Sequence, residues 1–295
     1  MVTNDLYDIG DIVMRSIKRT TAIALMTAML TGINILGDYS TNIMAGEANY
    51  KIKNLETLKK QISIAKKDGK ITTEEKEKIE KTTKPEVLCE YFEETMDQLK
   101  DTINKTDVEK IMNHYDGTRQ YGNTNIELED GNKVYIEFED KEEPNILECM
   151  ENILVQNVQA ATNVEKVWKS YGNRYFTAKA QITSGIGGAK VALENHYKLS
   201  SNGIDERYGD AYPVGSFSVG ITGNISVGTV AITDSVARTP GKSDVNMYAR
   251  FIWSINVSSM TSQGNSKLST TIKYLKKDAA NKKIQVQHKW SMSKN

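Results

Sequence analysis

The chain has 295 residues, 39% hydrophobic and 26% charged, with two cysteines and a formal net charge of zero. That mixture excludes a disordered chain, a disulfide-dense scaffold and a zinc ribbon, and the length allows two domains or one large one with an appendage. The zero charge hides an asymmetry: from Lys166 onward there are 18 Lys plus Arg against 7 Asp plus Glu, a net of +11, so the rest of the chain carries −11.

Halves of opposite sign either pack on one another or leave the basic half to face an anionic surface such as a cell-wall polymer, or another protein. The basic residues are scattered singly along the chain rather than in runs, which gives no nucleic-acid footprint.

The stretch "RSIKRTTAIALMTAMLTGINIL", Arg15 to Leu36, is the one strongly apolar segment. A basic cluster (Arg15, Lys18, Arg19) precedes the 16-residue run Thr21–Leu36, which small and polar residues interrupt. A spanning helix needs about 20 predominantly apolar residues, so this run is short for an anchor. It has the layout of a secretory signal, with Ala45 or Ala48 preceding the cut. Asp5, Asp8 and Asp11 do not suit an n-region, but Met14 is followed directly by Arg-Ser-Ile-Lys-Arg, so translation is expected to start there. The competing reading is a membrane anchor over residues 21–36. Export makes a disulfide between Cys89 and Cys149 admissible; closing a loop of about 60 residues stabilises by about 4 kcal/mol in the chain-entropy model. Two unpaired thiols are the alternative.

Residues 46–118 read as helical. Leu55, Leu58, Ile62 and Ala65 share one face, and Asp68-Gly69 ends that helix with a turn. Thr72 with Glu75 forms a capping box for a very polar helix to about Thr82. Pro85 opens a third helix, with Leu88, Phe92, Met96, Leu99 and Ile103 in line. Thr106 with Glu109 is a second capping box, with Val108, Ile111, Met112 and Tyr115 inward. "KKDGKITTEE" resembles half of a calcium loop, but Ile64 and Lys66 fall where oxygen ligands are required, so a helical hairpin is the reading.

Residues 119–165 hold a hairpin and a connector. A three-residue loop Asp130-Gly131-Asn132 sets Leu128 opposite Val134, Ile126 opposite Ile136 and Glu129 opposite Lys133. "NILECMENILVQNV" is either a short helix or an irregular connector. From residue 166 to 295 the apolar period is two: Phe176, Ala178, Ala180 and Ile182; then Val191, Leu193, Tyr197 and Leu199; then Val245 to Val257 at odd positions. "KLSTTIKY" and "KIQVQHKW" follow. Seven or eight such strands, apolar on one face only, predict an antiparallel sandwich or barrel. The fold class is thus α+β: an N-terminal helical region, then an antiparallel β-sandwich or barrel-like domain.

Reactive chemistry is sparse. His114, His196 and His288 are isolated, and His196 and His288 fall on or near polar strand faces, which favours surface roles over metal or base roles. Asp205, Glu206 and Asp210 cluster in "GIDERYGDAY"; a carboxylate pair serves glycosidases, but this stretch reads as a turn. "SGIGGAK" lacks the spacing of a dinucleotide or phosphate loop. "GSFSVGITGNISVGTVAITDSVA", Gly215 to Ala237, is uncharged until Asp234 and has the texture of a membrane-inserting hairpin. Folding it about Gly223-Asn224 puts Ile221 opposite Ser226 and leaves no clean apolar face, so sandwich strands are the better reading.

The signal segment, the variable linker and the module running through "GIGGAKVALENHYKLSSNGI", "SVARTPGKSD" and "NKKIQVQHKW" resemble secreted Gram-positive bacterial proteins with a C-terminal β-rich domain of unknown function. The resemblance spans Trp168 to Trp290. It implies export and a β-sandwich-like fold and carries no active site. The expectation is an exported, non-enzymatic interaction protein needing neither cofactor nor metal. The alternatives are a membrane-acting toxin or bacteriocin-like protein and, third, a glycan-processing enzyme.

Overall fold

Four helices come first among the residues described by the computed structural model, which are 50–66, 69–143, 162–163, 167–217, 221–257 and 260–294. Helix α1 (Leu55–Ala65) is capped by Asn54, whose side chain accepts from Thr57 N at 2.9 Å, and it buries Leu58 and Ile62. Helix α2 (Thr73–Thr82) starts at the expected capping box, with Thr72 N donating to Glu75 Oε2 and Glu75 N to Thr72 Oγ1, and it buries Ile79. Helix α3 (Pro85–Lys105) has Pro85 in its first turn, where the missing N–H is no loss, and buries Leu88, Phe92, Met96, Leu99 and Ile103. The expected Thr106–Glu109 capping box does not form. Asp107 caps the one-turn α4 (Val108–Ile111), accepting from Glu109 N at 3.1 Å, while Thr106 Oγ1 donates back to Thr102 O. The Glu109 carboxylate is drawn away to His288 N, 2.7 Å distant. Val108 and Met112 are buried as expected.

Thirteen strands follow among the described residues, in two sheets. Strands β1 (His114–Tyr115), β2 (Arg119–Glu127), β3 (Lys133–Glu142), β4 (Thr162–Asn163), β6 (Gly172–Thr183), β7 (Gly187–Ser200), β8 (Gly203–Phe217) and β10 (Val236–Ala237) make an eight-stranded sheet, in the order β10-β8-β7-β6-β3-β2-β1-β4. Strands β5 (Trp168–Ser170), β9 (Ile221–Asp234), β11 (Asp244–Val257), β12 (Met260–Asp278) and β13 (Lys283–Lys294) make a five-stranded one, in the order β5-β13-β12-β11-β9. Every ladder in both is antiparallel. The expected β-rich antiparallel fold with few helices is therefore present.

Two registers differ from expectation. In the β2–β3 hairpin Ile126 faces Val134 and Glu127 faces Lys133, a two-residue slip toward a longer loop. The loop is held from outside: Asn132 Nδ2 donates to Gln98 Oε1 of α3 and Tyr91 OH donates to Asn132 Oδ1. A slip of two preserves the faces, so Val134, Ile136 and Phe138 stay buried. The second difference is at Gly223-Asn224, where no hairpin turns. Strand β9 runs straight through, pairing Gly223 with Ile255 and Asn224 with Ser254.

The inner faces of the sheets meet through aromatic rings. Phe138 lies edge-on to Trp290 at 4.5 Å between centroids, and Phe176 lies 4.4 Å from His288. Trp253 of β11 covers Gly264 of its neighbour β12, where a Cβ would come within 2.2 Å of the indole. Helix α3 belongs to the same core and also protects a sheet edge. Beyond β5, the backbone edge of β13 has no strand partner, and Asn104 takes its place: Asn104 Nδ2 donates to Met292 O and Met292 N donates to Asn104 Oδ1, both at 2.8 Å. With Glu109 on His288 N, the helices occupy the hydrogen-bonding positions that an added strand would otherwise take. No helix among the described residues is long and apolar enough to cross a membrane.

Candidate functional site

The densest polar constellation is buried between the sheets. Phe138 points inward on β3, so Asp140, two residues on, does too. Its Oδ1 accepts from Arg174 Nε of β6 at 2.9 Å, and its Oδ2 accepts from Tyr197 OH of β7 at 2.5 Å and from the Lys169 ammonium of β5. His288 Nε2 of β13 is 2.7 Å from the same Oδ2. Arg174 extends the network to Glu142 Oε1 and to Thr118 O, each at 2.9 Å. Asp140, Lys169, Arg174, Tyr197 and His288 are all 1% exposed or less.

Burial by itself would raise the Asp140 carboxyl, but Lys169, Arg174 and His288 hold it well below the usual range. Burial lowers Lys169 to about 8, with Asp140 opposing. Tyr197 is pushed well above its ordinary value by burial and by the Asp140 charge. His288 therefore lies in the core and not on a polar face as expected. The row Ile284, Val286, His288, Trp290 points inward, so the imidazole follows the strand period. His288 also lines a recess, about 300 Å³, beside Thr106 to Val108. With Asp140, Arg174 and Tyr197 on one sheet and Lys169 and His288 on the other, the cluster clamps the two sheets together.

The carboxylates of "GIDERYGDAY" do not gather, and the stretch is not a turn: it lies in strand β8. Asp205 pairs with Arg238 of the segment after β10. Glu206 points inward, and burial raises it to about 8, with the Asn195 side chain opposing. Asp210 is exposed on the outer face opposite Glu194. A paired acid and base for glycan cleavage is thus not assembled from these residues. "SGIGGAK" forms the β6–β7 turn, with Gly187 N donating to Ser184 Oγ at 3.1 Å. A cleft of about 570 Å³ between α1 and the β2–β3 loop is lined by Lys59, Lys60, Lys66 and Lys133 but also by Glu127, Glu129 and Asp130, so most of its positive charge is offset locally. Cys89 is buried on α3, and burial with neighbouring Glu93 and Glu86 raises its thiol. Cys149, the signal-like segment, Asp68 and the stretch "NILECMENILVQNV" lie outside the described residues.

The outer faces are where a partner has access. On the five-stranded sheet the register lines up Ser, Thr, Asn and Gln with four cations, Arg250 on β11, Lys267 and Lys273 on β12, and Lys289 on β13. Among the described residues, carboxylates occur there at one end, as Asp234 and Asp244, the latter the cross-strand partner of Lys273, and Asn246 donates to both. Lys267 lies 4.1 Å over the Tyr248 ring. None of Lys267, Lys273 and Lys289 has an ion-pair partner among the described residues. Strand geometry spreads Lys267 and Lys273 over about 20 Å.

On the eight-stranded sheet, Tyr175, His196 and Tyr208 of β6, β7 and β8 stack, with centroids 5.5 and 4.1 Å apart. The adjacent row holds Thr177, Glu194 and Asp210. His196 is thus on an outer face as expected, and His114, on β1, is exposed and stacked on Tyr121. No family model, curated protein or solved structure matches this chain, so the geometry of these faces carries the functional reading.

Proposed function

We propose that this is an exported, non-enzymatic β-sandwich protein that binds an anionic polymer of the Gram-positive cell surface through the outer face of its five-stranded sheet. The observation that carries this reading is the array of Lys267, Lys273, Lys289 and Arg250 on three adjacent strands, with Asp234 and Asp244 at one end. Cations spaced along a sheet face complement a chain of repeating phosphates, and the surrounding Ser, Thr and Asn groups supply hydrogen bonds to its hydroxyls. The excess positive charge from Lys166 onward points the same way. The segment Arg15 to Leu36 supports export.

The test is binding of the full chain to poly(glycerol phosphate) over a salt series, beside the double variant Lys267→Glu/Lys289→Glu. Binding should weaken steadily with salt, and the variant should bind at least about tenfold more weakly with an unchanged melting temperature. Equal binding by the variant, or no binding at low salt, would refute the reading.

A second reading is favoured by one observation. Strand β9 has 14 residues without charge until Asp234, longer than the 9–11 that cross a bilayer. Dye release from phosphatidylglycerol liposomes by the full chain would shift the assignment to a membrane-acting protein.

A further inference from the structure

We propose that Glu194, His196 and Asp210 form a binding site for a transition-metal dication of the Zn²⁺ type on the outer face of the eight-stranded sheet. The polymer reading concerns the other sheet, and this inference does not depend on it. One ligand atom from each residue lies within 4.8 Å of the other two, a grouping found nowhere else among the described residues.

The ladder creates the site. Glu194 and His196 are two apart on β7 and so share a face, and Asp210 on β8 is the direct cross-strand partner of Glu194. Like charges directly opposite one another destabilise a sheet. Here neither Glu194 nor Asp210 has a lysine or arginine partner among the described residues, although the neighbouring strands carry such pairs. Two cations of the neighbouring strands are engaged elsewhere, Lys179 with Glu137 and Arg207 with Glu143. A dication between the two carboxylates removes the repulsion.

The imidazole is pre-positioned for that ion. Tyr175 and Tyr208 hold the His196 ring from both sides, and its Nε2 is aimed at Glu194 Oε1, 2.8 Å away. Thr177 Oγ1 donates to the other Glu194 oxygen at 3.1 Å, fixing the carboxylate as supporting groups do around metal ligands. One imidazole with two carboxylates suits Zn²⁺ and its neighbours, whereas Ca²⁺ favours an all-oxygen shell. Exposed Asp210 leaves the outer side open for water or a partner's ligand.

The experiment titrates the tag-free full chain with ZnCl₂ by calorimetry and records the visible spectrum with Co²⁺. Saturable one-to-one Zn²⁺ binding and a Co²⁺ ligand-field band are expected, with little response to CaCl₂. Asp210→Asn, on an exposed side chain, should keep its fold and weaken Zn²⁺ binding at least about tenfold. Asp234→Asn, on the other sheet, should change nothing. Absence of saturable binding, or binding that Asp210→Asn leaves untouched, would overturn the assignment.

Discussion

At the scale of single residues, the buried charges decide most. Asp140 accepts from Lys169, Arg174 and Tyr197 with no solvent access, so deleting its charge strands two cations in the core. Asp140→Asn is expected to lower unfolding stability by about 3–5 kcal/mol, read from urea melts at neutral pH. Glu206 makes a prediction with a sign. Its carboxyl is lifted from 4.5 to about 8 by burial, so between those values the folded state holds a proton that the unfolded chain has released. The stabilisation is therefore complete below the unfolded value and is lost as pH rises through about 8. Glu206→Gln should remove this dependence, which reaches at most about 1.4 kcal/mol per pH unit. Urea midpoints of the two proteins should diverge with rising pH, the variant becoming the more stable; parallel curves would contradict the burial of Glu206.

Whole elements show how helix and sheet were made for each other. Helix α3 buries an apolar face, at about 1.5–3 kcal/mol for each large side chain, and also pairs Asn104 with the free edge of β13. Asn104→Ala leaves the Met292 N–H and C=O without those partners. It should cost about 1–3 kcal/mol and speed hydrogen exchange at Met292 more than at Ile272, which is laddered on both sides. Equal acceleration at both amides would mean that the helix does not guard this edge. Helix starts and strand faces could be read from sequence because caps and periodicity are local. Pro85, the Thr72–Glu75 box and the alternation from Val245 to Val257 recur as expected. The Thr106–Glu109 box and the hairpin loop could not, because partners far along the chain, His288 for Glu109 and Gln98 for Asn132, outcompeted the local pattern.

For the molecule as a whole, the β2–β3 hairpin pairs with β6, so the eight-stranded sheet draws on segments before and after residue 166. A chain starting at Val167 would lack that hairpin and the helices that cover β13. It should show no cooperative thermal transition, whereas the full chain should melt in a single one. The two outer faces then differ in kind: one carries spaced cations among hydroxyls, the other two facing carboxylates beside a clamped imidazole.

By itself the sequence determined the three longer helices, the one-sided apolar strands at Phe176–Ile182, Val191–Leu199 and Val245–Val257, and the charge asymmetry, because each follows from composition or from neighbours a few residues apart, whereas "GIDERYGDAY", read as a turn, lies in strand β8. It also contained a trace of the buried cluster: Asp140 follows Phe138 by two residues, Arg174 precedes Phe176 by two, and His288 sits between Val286 and Trp290, all on inward positions. That period marks the residues as inward but not as partners. Only the tertiary structure decided that these charges neutralise one another, that Asp205, Glu206 and Asp210 go three separate ways, and that Asp210 faces Glu194. Strand order and cross-strand register set those contacts, and both arise from long-range pairing that no local spacing encodes.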